Sequence, residues 1–199
     1  TVFHIDHHSF ARCSSLEWIN ISKNIEVIYP YAFEYCSRLP ELFIPYHINV
    51  ICEGAFRHCT NLTNVTLSEG LKYIEGSVFY NCHSLPEITI PSTVILVGSY
   101  AFYNNTNLTR CIITDGVRLI HKYAFSSCLS LLELILPPSI EYVGKNAFSY
   151  NINLRRLIIM DGVQTIDDHA FGFCVRLPAV IIPPSIRWTG MYVFSNCEN

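Results

Sequence analysis

Phenylalanine recurs every 23 residues, at Phe10, Phe33, Phe56, Phe79, Phe102, Phe125, Phe148, Phe171 and Phe194, without one insertion or deletion. Three residues after each stands Cys13, Cys36, Cys59, Cys82, Asn105, Cys128, Asn151, Cys174 or Cys197, and three further on a leucine, Leu16 through Leu177. A period this strict means that one small structural unit is copied along the chain. Such a unit cannot bury an apolar side by itself, so it must stack on its neighbours.

Counted from each leucine, the unit reads LxxφxφxxxφxxφxxxAFxxC, where φ is apolar. Eight 23-residue copies fill 16–199 after a partial copy over 1–15, so residues 1–199 read as a single solenoid. No Met and no charged-then-apolar leader opens the chain at Thr1, so we read it as a segment of a longer protein without a visible signal peptide. The alternating apolar positions of LxxφxφP suit a strand with one buried face. The φxxφ that follows, as in Ile140 to Val143, suits either a strand or a turn. AFxxCxxL spaces apolar residues by three, which suits one helical turn, with small residues such as Ala32, Ala101 and Ala147 allowing close packing. Equivalent strands would pair in parallel into one continuous sheet about 40 Å long.

Composition agrees with an elongated core. Half of the 199 residues are apolar and only 15% are charged, against about 25% in an ordinary domain. The net charge of −3 lacks the basic footprint of a nucleic-acid binder. Uninterrupted apolar runs such as Leu157 to Met160 fall far short of the roughly 18 residues of a membrane span, so no membrane insertion is expected.

The consensus LxxIxLPxxφxxIxxxAFxxCxxL resembles the BspA-like leucine-rich repeats over essentially the whole chain. The resemblance implies an α/β right-handed solenoid with a parallel sheet on its concave face and short helical or extended segments on the convex side. It also implies the settings in which such repeats are widespread, cell-surface and secreted proteins for which adhesion is the usual proposal, although an intracellular location stays open. Ser9, Val78 and Val193 depart from the alanine, Asn105 and Asn151 from the cysteine, and Thr189 from an aliphatic residue. A second period overlies the first. Pro45, Pro91, Pro137 and Pro183 follow the strand in even copies, whereas Glu69-Gly70, Asp115-Gly116 and Asp161-Gly162 mark odd ones. The building block is then a 46-residue pair.

Candidate chemistry is sparse. Seven of the nine cysteines share one repeat position and form a column of buried thiols that pack as small apolar groups. Ligands spaced 23 residues apart make a line rather than a tetrahedron, so no metal site and no cofactor are expected. Asp6-His7-His8 and Asp167-Asp168-His169 fall in the variable segment before the phenylalanine and read as surface loops. No nucleophile-bearing motif is present and no copy carries an insertion, so the chain reads as non-enzymatic.

The face between the inward strand positions is the candidate binding surface. One outward column runs Asn20, Phe43, Thr66, Thr89, Ile112, Ile135, Ile158, Ile181, ending in a ladder of isoleucines. Its neighbour runs Trp18, Glu41, Asn64, Glu87, Arg110, Glu133, Arg156, Ala179, with charges alternating from Glu87 to Arg156. The isoleucines serve either as ordinary β-branched strand residues or as an exposed apolar patch that marks a partner site. A self-cancelling charge ladder favours a protein or peptide over a polyion. We therefore expect a protein-protein interaction module that uses Trp18, Phe43, Ile112, Ile135, Ile158, Ile181, Glu87, Arg110, Glu133 and Arg156. The alternative is a structural scaffold or spacer within a larger assembly, self-associating end to end or through the sheet face. Asn20, Asn61, Asn64, Asn104 and Asn107 lie in N-glycosylation sequons and are acceptors if the chain enters a eukaryotic secretory pathway.

Overall fold

The computed structural model describes residues 4–197. Every repeat contributes a two-residue strand: β1 (His4–Ile5), β2 (Val27–Ile28), β4 (Val50–Ile51), β6 (Tyr73–Ile74), β8 (Leu96–Val97), β10 (Leu119–Ile120), β12 (Tyr142–Val143), β14 (Thr165–Ile166) and β15 (Trp188–Thr189). These pair in parallel and in chain order as one nine-stranded sheet, so the φxxφ segment is a strand. Six repeats add a four-residue strand: β3 (Glu41–Ile44), β5 (Asn64–Leu67), β7 (Glu87–Ile90), β9 (Arg110–Ile113), β11 (Glu133–Leu136) and β13 (Arg156–Ile159). Their second and fourth residues are buried, as the alternating pattern requires. Between the nine-stranded sheet and the long strands runs one continuous core from Ile21 to Val193.

The AFxxC segment is not a helical turn, and among the described residues there is no helix. The residues two before and two after each phenylalanine have positive φ, for instance Tyr31 (57°) and Tyr35 (61°) around Phe33. Left-handed residues at that spacing end any helix. They build tandem turns instead, with Ala32, Glu34 and Cys36 each donating to the carbonyl three residues earlier. The N–H groups that alternate with those donors point to the next repeat: Tyr31 to Glu53 O, Phe33 to Ala55 O and Tyr35 to Arg57 O. The same three bonds recur at every step along the stack, ending with His169 to Met191, Phe171 to Val193 and Phe173 to Ser195.

Strain at these positions costs on the order of 1 kcal/mol per residue, and stacked rings offset part of it. Outer rows pair Tyr35 with His58 at 4.4 Å, Tyr100 with Tyr123 at 4.9 Å and Tyr150 with Phe173 at 4.5 Å. Inside, the repeat phenylalanines form a column with centroids 4.9 to 5.8 Å apart. Phe33 through Phe171 are fully buried. Truncating one of these rings would cost about 3–5 kcal/mol.

The long strands do not make the single continuous sheet expected; they form one sheet of β7, β9, β11 and β13 and a separate pair, β3 with β5. Proline explains the break. Where no proline enters, pairing covers all four residues, as for β3–β5, β7–β9 and β11–β13. The step from β9 to β11 carries one, Pro137, and its paired register shrinks to Glu133↔Arg110. The step from β5 to β7 carries two, Pro86 and Pro91, and no ladder forms. Two also enter at Pro40 with Pro45 and at Pro178 with Pro183, where the flanking segments 16–22 and 177–183 hold no strand. Each proline removes one N–H that the preceding strand would otherwise receive.

Three of those four junctions are closed by a hydroxyl clip, and at the fourth the His47 ring meets Ser22 O instead. The Thr93 hydroxyl donates to Leu71 O and accepts from Gly70 N, and Ser139 and Ser185 repeat this on Val117 with Gly116 and on Val163 with Gly162. Glycine is required here: φ is 115° at Gly70, and a Cβ on Gly116 would lie 2.0 Å from Ser92 O. The sequence alternation is thus physical, with fully paired two-repeat blocks joined by proline-interrupted junctions.

The cysteine column is more than apolar filling. Every thiol of the column after Cys13 donates to a phenylalanine carbonyl 26 residues earlier, as Cys59 does to Phe33 O and Cys82 to Phe56 O, both at 3.3 Å. Asn105 and Asn151 make the same bond through their amides, to Phe79 O at 3.0 Å and Phe125 O at 3.2 Å. That shared donor explains the two exceptions. The amide oxygens of Asn105 and Asn151, however, are buried without a partner. Asn105→Cys keeps the donor and removes the orphan acceptor, so it should stabilise the fold by about 1–2 kcal/mol, read as a raised urea midpoint at unchanged m-value.

All nine cysteines are free, and Cys13 is exposed. Burial pushes the thiols of Cys82, Cys128 and Cys174 up to about 12 from an ordinary 9.0. At pH 8 iodoacetamide should therefore label Cys13 and leave these three untouched until the chain unfolds, as peptide mass mapping would show. The unfolded chain sheds these protons first, so the thiol contribution to stability should be constant well below pH 9 and fall as pH rises from 9 toward 12. Melts across that range check the sign.

Candidate long-strand face

The long-strand face divides into two regions along the stack. In its C-terminal half the outward residues of β9 to β13 stand as the column reading anticipates: Ile112 and Ile135 are exposed and Ile158 is half-buried. Ile135 and Ile158 lie in direct register. Ile181 does not continue the paired ladder. It is 87% exposed in the strandless 177–183 segment, where Pro178 and Pro183 withhold the N–H groups that β13 would otherwise receive.

Charges beside the ladder pair unevenly. Arg156 Nη1 meets Glu133 Oε1 at 2.6 Å, an exposed contact contributing roughly 0.2–1 kcal/mol. Arg110 stands in register with Glu87 and with Glu133 but forms no ion pair with either among the described residues. Arg110, Ile112, Glu133 and Ile135 line a concavity of about 350 Å³ with Ile113 and the buried Cys111.

The N-terminal region is built differently. Trp18 and Phe43, 75% and 59% exposed, flank a concavity of about 520 Å³ that Glu17, Glu41, Asn64 and Thr66 also line. Glu17 and Glu41 are the only charged residues of that lining. The column reading found Trp18 and Phe43 but passed over Glu17, whose signal was its place beside the one tryptophan of the first repeats.

The sequon asparagines differ in access. Asn20, Asn61, Asn64 and Asn107 are exposed. Asn104 is half-buried, and its amide donates to Asn81 Oδ1 at 2.8 Å. The histidine motifs are occupied by local structure. His7 Nδ1 lies 2.8 Å from Asp6, His8 stacks on Tyr31, and His169 stacks on Tyr192 beside the Ser195 hydroxyl. Among the described residues no three His, Cys, Asp or Glu side chains gather as a metal site, and no helix is long and apolar enough to cross a membrane.

A model of the BspA type leucine rich repeat region matches residues 1–109 and 73–199, together spanning the chain. The chain is 26% identical to the leucine rich repeat protein of T. pallidum, covering 77% of this chain and 72% of that one with a TM-score of 0.72. A leucine-rich repeat protein from Eubacterium ventriosum gives a TM-score of 0.78 at 20% identity over 97% of this chain, which spans 57% of that one. A leucine rich cell surface protein from Faecalibacterium prausnitzii gives 0.52 at 22% identity, covering 99% of this chain and 69% of that one. No curated protein matches.

Proposed function

Since the chain belongs to the BspA-type leucine-rich repeat family, we propose that it is a non-catalytic recognition module that binds another protein through its long-strand face. The observation that carries this reading is that Ile112, Ile135 and Ile158 hold the same outward position on β9, β11 and β13, with Ile135 and Ile158 in register. Aliphatic side chains there stay open to solvent above a buried core, in the one stretch where the long strands form an extended sheet. An apolar stripe with charged residues along its edge is the arrangement of a protein interface, with an apolar centre and a polar rim. Glu87, Arg110, Glu133 and Arg156 supply that rim. We take residues 1–199 to act as one unit, because the turn bonds and phenylalanine stacking run through every junction of the described residues. Display at a cell surface accords with the family resemblance and with the cell surface protein of like fold.

Changing Ile135 and Ile158 together to Lys places two charges at the centre of the stripe while leaving the core untouched. Partner capture from a cell-surface extract, and any self-association seen by sedimentation, should fall at least about tenfold. Unchanged capture by the double variant would show that the isoleucine stripe is not the binding surface.

A further inference from the structure

We propose that the concavity between Trp18 and Phe43 is a separate recognition site for an arginine side chain on an extended peptide segment of a protein partner. Two large aromatic rings stand open on neighbouring repeats, and neither stacks on the other or on any other ring among the described residues. Between them is space of about 520 Å³. Two carboxylates, Glu17 and Glu41, share that lining with the Asn64 amide and the Thr66 hydroxyl. None of these side chains has a hydrogen-bond or ion-pair partner among the described residues. The lining thus offers acceptors and aromatic faces, and no cation of its own.

That set fits one chemistry. A guanidinium is planar, stacks on aromatic faces and donates in a fork to a carboxylate, which a compact ammonium matches less well. The absence of long-strand pairing at this junction, where Pro40 and Pro45 enter, adds a second element. Segment 16–22 and β3 lack the hydrogen-bonded ladder that closes β3 on β5, so the concavity between Trp18 and Phe43 stays open to an arginine carried on an extended chain. Charge along the face agrees. Glu17, Glu41 and Glu87 are the charged residues of the long-strand segments in its N-terminal half, whereas in the C-terminal half Arg110, Arg155 and Arg156 outnumber Glu133, so a basic segment is drawn to the Trp18 end.

This site rests on different residues from the isoleucine stripe, so the two proposals fail separately. The probe is a fluorescein-labelled Gly/Ser hexapeptide with one central arginine, read by anisotropy against the whole chain, with a peptide bearing neutral, isosteric citrulline as control. Saturable binding of the arginine peptide is expected, at least about tenfold weaker for the citrulline peptide, for Trp18→Ala and for Glu41→Gln, and weakened in 0.5 M salt. Both substituted side chains are exposed, and unchanged melting temperatures would show that the variants fold. Ile135→Lys with Ile158→Lys should leave this binding as it is. No saturable binding, equal binding of the citrulline peptide, or wild-type affinity in Trp18→Ala would overturn the assignment.

Discussion

Everything in this molecule hangs on the hydrogen bonds that each phenylalanine turn makes to the next repeat. Three N–H groups per step point along the stack, and the pattern persists at every junction, including those where the long strands part company. Its geometry fixes the distance between repeats at about one strand spacing. The same spacing lets the phenylalanine rings stack face to face and brings each cysteine or asparagine donor onto a phenylalanine carbonyl. The left-handed residues that aim these N–H groups are strained, and the outer tyrosine and histidine stacks are where that strain is offset.

Because this ladder and the nine-stranded sheet hold the stack together, the long-strand side can afford interruptions. Proline exploits that freedom. Where it removes two N–H groups the long strands separate, where it removes one the pairing narrows, and where it is absent four residues pair. The result is a face with two characters. An extended sheet carries Ile112, Ile135 and Ile158 with a charged margin. A looser N-terminal region leaves Trp18, Phe43 and unpaired carboxylates around a concavity. The hydroxyl clips of Thr93, Ser139 and Ser185 bridge three of the four interrupted junctions.

Much of the fold was legible from spacing. Buried positions of the strand, the phenylalanine column and the two-repeat alternation all follow from which residues recur at 23 and 46. The turn segment was misread for a physical reason: apolar residues three apart satisfy one helical turn and a tandem of turns equally well. Only φ separates them, and Tyr31 or Tyr35 gives no glycine-like warning of a left-handed backbone. Ile181 was misplaced similarly, since its column position predicts pairing with β13, which Pro178 and Pro183 prevent. Asn105 and Asn151 were visible exceptions whose meaning lay in a carbonyl of the preceding repeat.

The amino-acid sequence by itself determined the unit, its repetition and the division between inward and outward residues, because burial at a fixed period depends on residue type alone. Tertiary structure decided what the outward residues became. Whether two strands pair depends on N–H groups supplied across a junction, and whether a charged or aromatic side chain is free depends on neighbours 23 residues away. Only stacking therefore revealed that Glu133 pairs with Arg156 while Glu17 and Glu41 stand open beside Trp18.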